Sequence, residues 1–166
     1  MSQASDDHST LWDLIKDIKF GMFTHSHADG RLHSHPLTTQ NKSIDEGSVL
    51  YFFVPKSGEI AQRLQSAGNV NVAYADPDAD SYVSVSGSAS LLEDQAKKEA
   101  LFSSMAKAWF PGGATDPNLG LLQVRIEHAE YWDVKESKMV QLAKMATAAV
   151  TGKRPNLGEH KELNLG

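Results

Sequence analysis

The tightest constraint on this chain is Asp29-Gly30, which stands between two segments with strand-like alternation, Lys19 to His27 and Arg31 to Thr39. Asp-Gly between such runs is a hairpin-turn signal, so the two segments pair antiparallel. The same logic recurs downstream. Val70 to Ala75 and Tyr82 to Leu92 are separated only by Asp76-Pro77-Asp78-Ala79-Asp80. Val49 to Val54 is a short apolar run of mostly β-branched or aromatic residues, as in a strand buried on both faces. Leu121 to Ile126 and Ala129 to Asp133 read as one last strand or a strand pair. Consecutive strands joined by short turns favour an antiparallel sheet over βαβ units. About six strands with helices at the ends can curl into a small barrel and remove their edges. The expected class is therefore mainly β with flanking helices (α+β).

Helices fill the remaining stretches. Residues 1–7 read as a frayed start, followed by a helix capped by Ser9 with Leu11, Leu14, Ile15 and Ile18 on one face. Ser57 is placed to cap a helix from Gly58 to Ser66, stopped by Gly68. Asp94 caps another, running to about Ala108, and Met139 to Val150 forms the last. Gly87 inside a strand signals a bulge or a close backbone approach. At 166 residues the chain is one ordinary domain, able to bury about 70% of its unfolded surface without staples. Residues 1–150 are read as that domain and 151–166 as a flexible C-terminal tail. Cysteine is absent, which excludes disulfides and thiolate metal sites and fits a cytoplasmic location. The net charge of −5, with no basic stripe, argues against nucleic acid. With no apolar leader segment and no run of about 18 apolar residues, neither a signal peptide nor a membrane span is expected.

Two stretches carry candidate chemistry. On a strand, Arg31, His33 and His35 share one face and Leu32, Ser34 and Pro36 the other. The first set suits an anion or a polar ring, or is a solvated basic face. Lys56-Ser57-Gly58 opens a helix just after the apolar strand. It can hold a phosphate, or Ser57 is a plain cap. His25, His27, His33 and His35 form two His-x-His pairs on the hairpin, but neither strand carries an acidic residue to complete a zinc set. No metal site is expected. Trp109-Phe110 ahead of Pro111-Gly112-Gly113 either plugs the core, walls a planar ligand or meets a second subunit. Tyr131-Trp132 is read as core or dimer contact, and Ser84, Ser86, Ser88 and Ser90 flank a ligand or face water. Nucleophilic triads, Walker loops and dinucleotide fingerprints are absent.

Arg31-Leu32-His33-Ser34-His35-Pro36-Leu37 resembles the strand signature of the flavin-binding split-barrel proteins related to pyridoxamine 5'-phosphate oxidase, in particular their bacterial general stress protein branch. Further blocks fit in the same order. They are Phe52-Phe53 with Ser57, the run from Asn69 to Tyr74, that from Tyr82 to Gly87, Trp109 to Gly113 with Asp116-Pro117, and Ala129 to Asp133. The resemblance covers about residues 9–135. It implies a six-stranded antiparallel split β-barrel with FMN, or FAD in its place, at a homodimer interface. By the same resemblance, Arg31, His33, Ser34, His35, Pro36 and Leu37 run along the flavin, with Ser34, His35 and Pro36 near its ring. Phe52, Phe53 and Val54 follow the ribityl chain, Lys56 and Ser57 meet the phosphate, and Trp109 lies near the ring or the opposite subunit.

Two positions depart from the family pattern. A Lys usually stands two residues after the helix-start Ser; here it is Glu59. A charge-assisted hydrogen bond contributes about 1.5–3 kcal/mol, roughly ten- to a hundredfold in affinity. The Arg usual before the proline is His35. The oxidase's arginine-bearing C-terminal segment is also missing, leaving only Lys153-Arg154-Pro155, so pyridoxamine phosphate oxidation is not expected. What the resemblance implies is an FMN-binding general stress protein acting as a flavin-dependent oxidoreductase. The alternatives are a non-catalytic flavin carrier and a haem or metal binder.

Overall fold

The computed structural model of the chain describes residues 2–44, 48–135 and 138–166. Helix α1 (Ser2–Ile18) leads into strands β1 (Phe20–Ser26), β2 (Leu32–Thr38) and β3 (Val49–Pro55). A short α2 (Glu59–Arg63) precedes β4 (Gly68–Asp76) and β5 (Ser81–Leu92). Then come α3 (Gln95–Leu101), two 3-10 turns (Ala106–Ala108 and Gly113–Thr115), β6 (Leu119–Asp133), α4 (Lys138–Thr151) and β7 (Glu159–Asn164).

All pairings are antiparallel, in the order β2-β1-β4-β5-β6-β3, with β7 beside β6. The ends of this path approach each other at a Thr39–Phe52 bridge, where the Gln40 N–H also donates to the Tyr51 carbonyl at 2.9 Å. The sheet thus curls into the expected six-stranded split barrel. Within it pack Leu11 and Ile15 of α1, Phe23, Leu50, Phe52, Val72, Tyr74, Val85, Leu122 and Tyr131. A second, smaller core outside β3 holds Val49, Tyr51, Phe53, Ala106, Phe110, Leu119 and Leu121. β3 therefore buries both its faces, as its unbroken apolar run implies.

The hairpin forms as its turn residues dictate. Gly30 takes φ +84°, and the Asp29 carboxylate accepts from the Arg31 N–H at 3.0 Å. At Gly87 the β5–β6 register shifts, and a side chain there would place Cβ 1.9 Å from the Arg125 carbonyl oxygen. The strand glycine thus marks both a bulge and a close backbone approach.

Several boundaries differ from expectation. α1 starts at Ser2, so Ser9 lies inside the helix, because no Gly or Pro interrupts Ser2 to Ile18. Met1, at the expected frayed start, lies outside the described residues. α2 is only five residues long, capped by Gly58 with no side-chain bond, and Gly68 begins a strand. Asp94 does cap α3, its carboxylate accepting from the Lys97 N–H at 2.9 Å, but the helix ends at Leu101 and resumes only as a 3-10 turn. β6 is one strand, not a pair. The tail, residues 151–166, contributes β7, held along the second half of β6. Residues 45–47 of the polar turn before β3 lie outside the described residues.

Candidate functional site

Two features meet on β2. The first is a cleft of about 610 Å³ between the second half of β2, the start of β1, the end of β3 and the segment Ser103–Phe110. Its walls are mainly apolar: Phe20, Pro36, Leu37, Phe53, Met105 and Trp109, with Lys19, Thr38, Gln40 and Ser103 as polar members. That size and composition are typical of a small-molecule pocket. Trp109 is 81% exposed, so it is no core plug, whereas neighbouring Phe110 is buried in the second core.

The second feature is a nest of imidazoles on the other face of the hairpin. The register sets His25 opposite His33 and Phe23 opposite His35, so alternation turns His25, His33 and His35 to the barrel side. His25 Nε2 lies 3.1 Å from His35 Nε2, and the His33 and His35 ring centroids are 4.2 Å apart. Glu59, at the start of α2, reaches into the nest. Its Oε1 is 2.8 Å from His27 Nε2, and its Oε2 is 3.1 Å from His33 Nδ1 and 3.8 Å from His35 Nε2. Arg63 Nη2, always a donor, sits 3.3 Å from His27 Nδ1. That contact leaves the His27 proton on Nε2, donating to Glu59. Burial, and after it the neighbouring imidazoles, pushes the His25 and His35 rings below the usual histidine range, against the pull of Glu59. Desolvation pulls Glu59 upward, but the His33 hydrogen bond and the surrounding rings hold it net below the usual carboxylate range.

The residues singled out in the sequence divide among several environments. Pro36, Leu37, Phe53 and Trp109 line the cleft, while His33 and His35 belong to the imidazole nest. Ser34, on the outer face, shares a 2.6 Å hydrogen bond with the Thr24 hydroxyl. Arg31 is exposed beside the hairpin turn. Phe52 and Val54 turn their side chains into the main core. Lys56 Nζ pairs with Glu93 at 3.0 Å, and the Ser57 N–H donates to Asn118 Oδ1 at 3.0 Å.

Three of the four strand serines, Ser84, Ser86 and Ser90, are engaged across the sheet. Asn71 Nδ2 donates to Ser84 at 2.9 Å and to Ser86 at 3.1 Å, and Gln123 Nε2 donates to Ser90 at 3.1 Å. Tyr131 is core, and Trp132 stacks on His160 at 5.0 Å. Sequence reading missed Lys19, Phe20, Gln40 and Met105 in the cleft and Glu59 in the nest. Periodicity within one element carries no signal for a contact made between elements.

Comparison with known proteins fits this arrangement. A family model described as pyridoxamine 5'-phosphate oxidase like matches residues 6–156. Protein bli-3 of Neurospora crassa is 25% identical over 134 residues, 76% of this chain; the match spans 62% of that protein's length. General stress protein 26 of Bacillus subtilis is 27% identical over 116 residues, 68% of this chain and 79% of the relative. The solved structure of the general stress FMN/FAD binding protein of Xanthomonas citri superposes with a TM-score of 0.70 at 30% identity, covering 80% of this chain and 92% of that one. The curled sheet, the β2 signature strand and the span of the family match agree, and the chain belongs to the pyridoxamine 5'-phosphate oxidase-like family, among relatives of the general stress protein kind.

Proposed function

We infer that this is a flavin-binding protein whose cleft takes the isoalloxazine ring of FMN, with FAD as the alternative. The observation that carries the reading is the lining of the cleft. Pro36, Leu37 and Phe53 offer apolar walls, and an exposed Trp109 indole stands ready to cover a planar ring. The Xanthomonas citri relative, described as FMN/FAD binding, supports the same ligand class. At the far end of the molecule from the ring, the phosphate's expected partners are less well provided. Lys56 is paired with Glu93, and α2 is too short to offer a helix N-terminus.

Bound flavin supplies the electron-transfer chemistry, and the protein orients and tunes it. The apolar cleft walls would hold the ring and shield it from water, and Trp109 would pack against it. Lys19 is the one titratable side chain among the described cleft residues, and its ammonium favours negative charge nearby. This scarcity of acid–base groups leaves two readings: a flavin-dependent oxidoreductase using an external proton donor, or a non-catalytic flavin carrier. Exposed Phe20, Met22, Leu32, Met105 and Trp109 support a homodimer closing over the cleft, the arrangement in which the flavin lies at the interface. The cysteine-free composition is consistent with a cytoplasmic location.

The test is titration of flavin-free protein with FMN and FAD, followed by flavin fluorescence. Saturable quenching is expected. Trp109→Ala should weaken it about two- to tenfold, the equivalent of an aromatic contact of about 0.5–1.5 kcal/mol. A flat titration with both flavins overturns the reading. Reduction of the bound flavin by reduced nicotinamide then separates oxidoreductase from carrier.

A further inference from the structure

The imidazole nest shares no residue with the lining of the flavin cleft, although the two adjoin along β2. His25, His33, His35 and Glu59 each present one ligand atom, and these atoms all lie within 4.8 Å of one another. Ligands at about 2.0–2.1 Å from a tetrahedral zinc ion stand about 3.3 Å apart. The nest gives 3.1 Å between His25 Nε2 and His35 Nε2, 3.1 Å between His33 Nδ1 and Glu59 Oε2, and 3.8 Å between His35 Nε2 and Glu59 Oε2. The donor set is thus already gathered around a point that a small cation could occupy.

Two further observations favour a cation over a bare hydrogen-bond network. His25 is 2% exposed and its Nδ1 meets no partner, so the only polar contact this buried ring has is through Nε2, into the nest. Burying an imidazole on the strength of one imidazole–imidazole contact is unfavourable. A metal–nitrogen bond is stronger than that single contact and would anchor the ring through Nε2, the nitrogen it turns toward His35, while Nδ1 keeps no partner among the described residues. Moreover, Glu59 is held from behind. Arg63 fixes the His27 tautomer, and His27 Nε2–H engages Oε1, leaving Oε2 toward His33 and His35. A ligating carboxylate oriented by an outer hydrogen bond is the usual support of a metal site. The expectation of no metal rested on the two strands alone; the carboxylate arrives from α2.

We propose that His25, His33, His35 and Glu59 form a site for a divalent transition metal of the zinc type, with His27 as a positioning residue. Three imidazoles and one carboxylate suit zinc and its neighbours and disfavour calcium and magnesium, which take oxygen ligands. The reading does not depend on flavin binding. It is tested on the flavin-free full chain after chelator treatment, so its failure leaves the flavin titration untouched.

The probes are ZnCl2 in a competition titration against a chromophoric chelator and CoCl2 followed by visible absorption. One zinc per chain is expected, with tetrahedral cobalt bands in the visible. Glu59→Gln should lower zinc affinity at least tenfold, and His27→Gln, outside the metal's own ligands, about ten- to a hundredfold. Zinc should also raise the thermal midpoint of the wild type but not of Glu59→Gln. That readout registers even if His25 variants fail to fold. The outer group His128, Glu130 and Glu162 is the internal control. Stoichiometric zinc lost in His128→Ala but kept in Glu59→Gln, or no stoichiometric zinc at all, overturns the proposal.

Discussion

Individual residues show how far a single position can commit the fold. Gly87 is the clearest case, since any Cβ there meets the backbone of β6, which cannot move aside without breaking the β5–β6 ladder. Gly87→Ala is expected to destabilise by about 1–3 kcal/mol or more, as overpacking does. A urea titration should show a lower midpoint with an unchanged slope. Tyr131 gives a pH-dependent counterpart. Its hydroxyl reaches Glu159 at 3.4 Å and Asp7 at 3.5 Å. Burial first, then these carboxylates, pushes it up to about 12. Above about pH 10 the unfolded chain loses this proton while the native state keeps it. The contribution is therefore present below pH 10 and lost as pH rises toward 12. Thermal melts of wild type and Tyr131→Phe across that window should converge at high pH, the variant showing the shallower decline.

Elements were legible where a pattern sits within one segment. The hairpin, β3, the β4–β5 pair and the Asp94 cap follow from alternation, turn chemistry and capping. Contacts between elements were not. α2 looked like a phosphate-holding helix from Lys56 and Ser57, yet its decisive residue is Glu59, whose role is set by where β1 and β2 lie. β7 has exposed and half-buried residues in strict alternation but few apolar ones, so nothing in Glu159-His160-Lys161-Glu162 announced a strand. It is held by pairing with β6, by Tyr131–Glu159 and by the His160–Trp132 stack. Removing residues 159–166 should lower the thermal midpoint and alter Trp132 fluorescence while leaving the far-ultraviolet signature of the six-stranded sheet. Loss of that signature would make β7 integral to the barrel.

At the scale of the whole molecule, the large apolar side chains left outside form two main groups, one on α4 (Met139, Val140, Leu142, Met145 and Val150) and one on the hairpin and beside the cleft (Phe20, Met22, Leu32, Met105 and Trp109), and the second group bears on assembly. Phe20 is 59% exposed and Leu32 71%. No helix among the described residues is long and apolar enough to cross a membrane, so these residues are not explained by a helical span. A second copy of the chain covers them in the reading proposed above. Sedimentation should then give a dimer, and Phe20→Asp should yield monomer and weakened flavin binding together. A monomeric wild type would remove the interface from that reading.

The placement of β3 also bears on how a ribosome-bound chain completes itself. β3 leaves the ribosome early, but its ladder partner is β6, residues 119–133; on its other edge it meets just the short stretch Thr39-Gln40-Asn41 through a bridge and a few hydrogen bonds. Until β6 emerges, Val49-Leu50-Tyr51-Phe52-Phe53-Val54 lacks its full ladder strand. Such long-range closure is slow and leaves sticky strands waiting. Nascent chains stalled just before residue 119 should accordingly recruit chaperones, and those stalled well past residue 133 should release them.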